Sequence, residues 1–234
     1  MDLATRLPPR SLIPACDVDL PRFKQIVHEI HDLPQVGAFK VGAALGLSVG
    51  LPAVVEAARA FTDKPLIYDH QKAGTDIPDT AAGFMRALRT AGLDAVILFP
   101  FTGPATQRTW TQAAVDEGLD VLVGAHMTHD GFLAADNGYI ETSSTTRIYE
   151  MAAAAGVRHF VVPGNQPDVI KHVREVVSAE TTDAVFYAPG FIAQRGQISE
   201  AALVAGSRWH AIVGRAIYEA ADIRSAVASL SHSL

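Results

Sequence analysis

"KPLIYDHQKAGTDIPDT", Lys64 to Thr80, is the stretch on which the reading of the fold turns. Leu66, Ile67 and Tyr68 make a short apolar run of the kind that a buried strand takes. Asp69, His70, Lys72 and Asp76 then crowd into eight residues. Ile77-Pro78 stops the run, and Asp79 offers a capping side chain for a helix. A buried strand that ends in charge and passes into a helix is one βα unit. In barrels built from such units, the polar residues just after each strand line the active-site mouth.

The same rhythm recurs along the chain. Short runs rich in β-branched or aromatic residues occupy 12–16, 38–41, 66–68, 95–99, 121–123, 160–162, 184–187 and 211–213. They lack strict alternation, as expected of parallel strands covered on both faces. Helix-like segments lie between them, at about 21–32, 48–61, 79–91, 103–117, 143–155, 167–177, 199–205 and 219–230. Ser48, Asp79, Ser143 and Ser199 stand at capping positions, and Gly92, Gly118, Gly156 and Gly206 where helices should end. Eight strand-then-helix units predict a (β/α)8 TIM barrel, as one domain over 1–234; an open α/β sheet is the alternative.

Composition narrows the function. The 234 residues are 49% hydrophobic and 19% charged, with a net charge of −6. No basic block is present, so no nucleic-acid or anionic-membrane surface is expected. The single cysteine, Cys16, allows no internal disulfide and fits a reducing compartment. The N-terminal segment has no apolar core of a secretory signal, and no run approaches the length of a membrane span. The expectation is a cytoplasmic protein.

Read in order, the mouth would hold Asp17, Lys40, Asp69, His70, Lys72, His126, Thr128, His129, Asn165, Gln166, Gln194, Arg195 and Arg215. Cations, acids and amides together suit a small, polar, anionic ligand. A lysine held among carboxylates keeps its charge and can deliver a proton to a developing carbanion; a solvated salt-bridged turn is the plainer reading of the same stretch. Gly214 and Arg215, at the end of the eighth run, suit phosphate, although a strand-closing glycine and a surface arginine look the same in sequence. "APGFIAQRGQIS", Ala188 to Ser199, reads as a ligand-covering loop with Gln194 as a bridging amide, or as an ordinary connection. In "GAHMTHDG", Gly124 to Gly131, His126, His129 and Asp130 lack the spacing of zinc motifs, which favours Thr128 as a ligand donor over a metal site. Asp17 and Lys40, at neighbouring strand ends, are placed to pair.

These residues carry a resemblance. Asp17, "FKVG" (Phe39 to Gly42), the acid, lysine and "DIPDT" of Asp69 to Thr80, Thr128, "PGFIAQRG" (Pro189 to Gly196) and "IVGRAIY" (Ile212 to Tyr218) together resemble the orotidine 5'-phosphate decarboxylase family and its wider barrel suprafamily. The resemblance implies decarboxylation of orotidine monophosphate to UMP, the last step of pyrimidine nucleotide synthesis, without metal or organic cofactor. It implies that Lys72 protonates the ring carbon as carbon dioxide leaves, with Asp69 against the substrate carboxylate. Asp76 would enter from the other subunit of a homodimer, with Ile77 and Thr80 beside it. Asp17 and Lys40 would hold the ribose, and Thr128 and Pro189 the base. Gln194 would bridge base and phosphate, and Gly214 and Arg215 would take the phosphate.

The family pattern is Asp-x-Lys-x-x-Asp, whereas this chain has Asp-x-x-Lys-x-x-x-Asp, one residue longer on each side of Lys72. Strict counting puts His70 and Thr75 in the acids' places. A compensating bulge, or a variant with altered activity or substrate, would account for it. Two other readings stand beside the decarboxylase. One is a magnesium-dependent sugar-phosphate enzyme of the same suprafamily, which carries an acid after its second strand where this chain has "FKVGAALGL". The other is a non-catalytic barrel that binds a nucleotide or phosphate.

Overall fold

The computed structural model describes residues 2–70, 74–191 and 197–234. Eight strands close into a barrel in chain order: β1 (Arg10–Cys16), β2 (Phe39–Gly42), β3 (Leu66–Asp69), β4 (Ala95–Leu98), β5 (Asp120–Gly124), β6 (His159–Val161), β7 (Val185–Ala188) and β8 (Trp209–Val213). All are parallel, and β8 closes on β1 with Arg10 opposite Trp209 and Pro14 opposite Val213. The expected barrel is what the chain forms, and every strand-like run falls on a strand.

Helices cover the outside: α1 (Leu3–Arg6), α2 (Leu20–Ile30), α3 (Ala43–Val49), α4 (Leu51–Arg59), α5 (Ala81–Ala91), α6 (Pro104–Asp116), α7 (Thr142–Ala154), α8 (Pro167–Val177), α9 (Ile198–Ala205), α10 (Arg215–Tyr218) and α11 (Ile223–Ser231). Their apolar faces pack with the outward strand residues in one hydrophobic layer, which includes Phe23, Phe39, Trp110, Phe160 and Trp209. A second cluster fills the barrel itself, with Ile13, Ala38, Ile67, Ile97, Leu122, Val161, Val185 and Ile212. Successive strand residues face opposite sides, so every second residue from these joins the interior. That parity puts Lys40 and Asp69, two residues beyond Ala38 and Ile67, inside the barrel near its C-terminal end.

Several helix boundaries differ from expectation. The segment over 48–61 is two helices, broken at Gly50, whose φ of 81° suits glycine. Ser48 is no cap; its hydroxyl donates to the Leu45 carbonyl at 2.9 Å. Asp79 lies in a 3-10 turn over Pro78–Thr80, and α5 begins only at Ala81. Ser143 and Ser199 sit inside α7 and α9, not ahead of them. Local sequence offered these capping side chains, but chain entry from the strands set the starts. Gly92 does end α5 in the left-handed conformation.

The short α1 was not foreseen. Its Leu3, with Leu7, plugs the N-terminal end of the barrel against the interior cluster. Several polar groups there pair with one another. Asp120 accepts from the Leu3 N–H at 2.6 Å, Ser11 Oγ meets His210 Nδ1 at 2.8 Å, and His159 lies between Tyr187 (3.0 Å) and Asp2 (3.3 Å). Burial lowers His210 to about 3, with the nearby His159 and Arg208 acting the same way.

Candidate active site

At the other end of the barrel, three charges meet. Lys40 Nζ donates a short hydrogen bond to Asp69 Oδ2 and lies 3.7 Å from Asp17 Oδ2. Asp69 is completely buried and Lys40 is 3% exposed. Burial works against the Lys40 charge, but Asp69 and then Asp17 outweigh it and raise its pKa. The expected neighbour, Asp17, is therefore the second partner of Lys40; Asp69 is the nearer one.

Strand register explains the arrangement. Lys40 pairs with Ile67, so Asp69 lies two residues further along β3 on the same inward face. Gly42 pairs with Asp69, and a Cβ on Gly42 would fall 2.1 Å from Asp17 Oδ1. The glycine leaves the space that the Asp17 carboxylate occupies as it leans across from β1. Buried Cys16, the last residue of β1, is driven up to about 12 by burial, so it stays a neutral thiol beside this array.

Asp69 points inward, whereas His70 turns outward into an aromatic cluster. Its ring lies 4.4 Å from Phe84, 5.7 Å from Tyr68 and 6.0 Å from Trp110. His70 thus does not join Lys40 and Asp69 inside the barrel. Lys72 lies outside the described residues, as do Gln194 and Arg195.

A cavity of about 560 Å³ opens above the charged array, within the size range of small-molecule sites. Asp17, Lys40, Thr128, Pro189, Gly214 and Arg215 all line it. Phe99, Met127, Phe191 and Tyr218 supply much of its apolar wall, and sequence reading had not singled these out. Tyr218 could have been found, because it stands three residues after Arg215 on the same helical turn. Phe99 could not, since its place depends on Gly124, where a Cβ would fall 2.2 Å from the Phe99 ring.

The Thr128 loop is held from the next βα unit. Asn165 Nδ2 donates to the Thr128 carbonyl at 2.9 Å, and Gln166 Nε2 to the Met127 carbonyl at 3.2 Å. His126 and His129 border the cavity, but their Nδ1 atoms meet the carbonyls of Met127 (3.0 Å) and Asp130 (2.9 Å). Among the described residues, the one group of three possible metal ligands within reach of one another is Asp2, Asp120 and His159, at the opposite end of the barrel. No acid follows β2, which ends at Gly42 and runs into Ala43 and Ala44.

Asp76, Ile77 and Thr80 do not reach the main cavity. Asp76 and Thr80 border a separate hollow of about 380 Å³ with His70, Phe84 and Trp110. Ile77 is 58% exposed beside it.

Known proteins share this architecture and much of this sequence. The family model described as "Orotidine 5'-phosphate decarboxylase / HUMPS family" matches residues 10–230. The orotidine 5'-phosphate decarboxylase of Methanosarcina mazei is 33% identical over 199 residues, which cover 85% of this chain and 84% of that protein. Its counterpart from Pyrococcus abyssi is 30% identical over 216 residues, 92% of this chain and 94% of that protein. Among solved structures, the orotidine 5'-monophosphate decarboxylase of Methanocaldococcus jannaschii, complexed with the inhibitor BMP, superposes with a TM-score of 0.83 at 25% identity over 97% of this chain and 99% of that one. The Pyrococcus horikoshii enzyme gives 0.77 at 27% identity, covering 95% and 98%. With a closed eight-stranded barrel, a charged array at its C-terminal end and matches over nearly its whole length, this chain belongs to the orotidine 5'-phosphate decarboxylase / HUMPS family.

Proposed function

We propose that this chain is a carboxy-lyase that converts orotidine 5'-monophosphate to UMP. One observation carries the choice within the family: Lys40 is locked between Asp69 and Asp17 at the base of a cavity that Arg215 also lines. A buried cation between carboxylates next to an arginine suits a monoanionic ring acid at one end and a phosphate at the other.

In this reading the bond from the ring carbon to its carboxylate breaks and the electron pair stays on the ring. Carbon dioxide leaves, and the Lys72 ammonium gives the ring carbon a proton; the neutral lysine regains one from water. Asp69 lies against the departing carboxylate and favours its loss. Lys40, with Asp17, fixes the array and the ribose hydroxyls. Thr128 and Pro189 hold the base, Gln194 joins base to phosphate, and Gly214 with Arg215 binds the phosphate. Phosphate binding far from the reacting carbon supplies energy that is expressed in the transition state. No step calls for a metal or an organic cofactor.

The chain acts as one barrel domain over 1–234, in the cytoplasm, as a homodimer. The exposure of Asp76 and Ile77, away from the main cavity, supports a role for them across a subunit interface, with Thr80 beside them. Among the described residues no helix is long and apolar enough to cross a membrane.

The test is the ultraviolet change of orotidine monophosphate mixed with protein and chelator, beside a Lys72→Ala variant. Turnover that survives chelator and is lost in the variant supports the reading. Turnover abolished by chelator moves the assignment to the magnesium-dependent branch. Tight UMP binding without turnover makes the barrel a non-catalytic binder.

A further inference from the structure

His70, at the end leaving β3, and Ile77, at the end approaching α5, both meet one side chain, Trp110 of α6. At the leaving end, the His70 ring lies nearly parallel to the indole, at 18°. At the returning end, the indole Nε1 donates to the Ile77 carbonyl at 3.0 Å. Trp110 is 1% exposed, and Phe84 of α5 packs against it at 4.9 Å. The β4–α6 connection adds a second hold on the returning end, through Thr75 Oγ1 and Thr102 Oγ1 at 3.1 Å.

The placement is not explained by stability alone. His70 Nδ1 is buried with no hydrogen-bond partner among the described residues, and an unpartnered buried polar atom carries a cost. An apolar ring would fill the same space without it. The residues fixed at the two ends are the immediate neighbours of Asp69 and Asp76, the two acids that bracket the segment. This chain carries two more residues between those acids than the family pattern does. Trp110 thereby holds the residue next to each of the two acids.

We propose that Trp110 is a positioning residue for catalysis: through His70 and the Ile77 carbonyl it fixes both ends of the segment between Asp69 and Asp76. Trp110 touches no substrate in this role. The proposal rests on the decarboxylase reading, in which that segment carries the proton donor.

Trp110→Phe keeps a ring in the layer and removes the N–H. His70→Ala removes the ring contact at the other end and guards against a Trp110 variant that does not fold. Turnover of orotidine monophosphate is measured per UMP-binding site, so that misfolded protein does not count. A displaced segment should lower kcat about tenfold or more, since misplacement by about 1 Å costs up to ~100-fold. KM and UMP affinity should stay within about threefold, because the main cavity is untouched. Variants with parent kcat per binding site overturn the proposal, as does an equal loss of kcat and UMP binding, which marks a purely structural role. A parent with no turnover overturns the decarboxylase reading, and the positioning role with it.

Discussion

Replacing Asp69 by leucine tests whether the buried charges act as a unit. Leucine keeps the branched outline of aspartate and removes the charge, with a somewhat larger side chain. It leaves the Lys40 ammonium, 3% exposed, with Asp17 as its remaining acid at 3.7 Å. At an effective dielectric of about 20, that pair retains an attraction of about 4 kcal/mol, before screening by the water that reaches Asp17. Breaking a buried pair costs about 3–5 kcal/mol, so the retained contact puts the expected loss near 3 kcal/mol. For a chain of this length that is about 6–12 °C in melting temperature. Urea denaturation at pH 7 reads it as a shifted midpoint at constant slope. Adding Lys40→Met should recover most of that loss, since an apolar replacement of a buried pair is close to neutral and Asp17, 27% exposed, still reaches water. The pH dependence has a definite sign. In the parent, the raised Lys40 pKa contributes stability below the unfolded value and loses it at higher, alkaline pH. In Asp69→Leu, burial dominates and the folded state favours neutral lysine, so its deficit should shrink between about pH 7 and pH 10. A double variant as unstable as Asp69→Leu, with a deficit that does not change with pH, would refute the coupling.

Gly42→Ala puts a methyl where the Asp17 carboxylate lies and should raise KM for orotidine monophosphate about tenfold with a small effect on melting temperature; steady-state kinetics decide it. Arg215→Gln should weaken UMP by about 1.5–3 kcal/mol, the usual worth of a hydrogen bond to a charged group, while leaving uridine binding within about twofold; calorimetry with both ligands checks it. His210 is held neutral down to about pH 3, so its contribution is complete above its unfolded value near 6.5 and is lost as pH falls toward 3. The loss approaches about 4 kcal/mol at the acid end, and urea midpoints between pH 7 and pH 4 should fall less steeply in His210→Gln.

The eight strands and the end of the barrel that holds the site were legible in the chain, because both follow from local chemistry. A short apolar run buried on two faces must end where the backbone meets water, and polar residues gather there. Asp17, Lys40, Thr128, Gly214 and Arg215 could be placed at one mouth for that reason alone. Which of them touch was decided by the closed barrel. Strand stagger brings Asp69, and not only Asp17, to Lys40. Inward and outward parity separates Asp69 from His70, although they are adjacent in sequence. The space for Asp17 exists because a residue on a different strand, Gly42, lacks a Cβ. Helix starts at Ser48, Asp79, Ser143 and Ser199 were misplaced because a capping side chain is a local preference, whereas the start of a helix here is set by the path from its strand. Sequence by itself determined the strands and the kinds of charge at their ends. Tertiary structure decided the pairings, since contacts between residues 29 apart, such as Lys40 and Asp69, exist only when the closed sheet fixes their register.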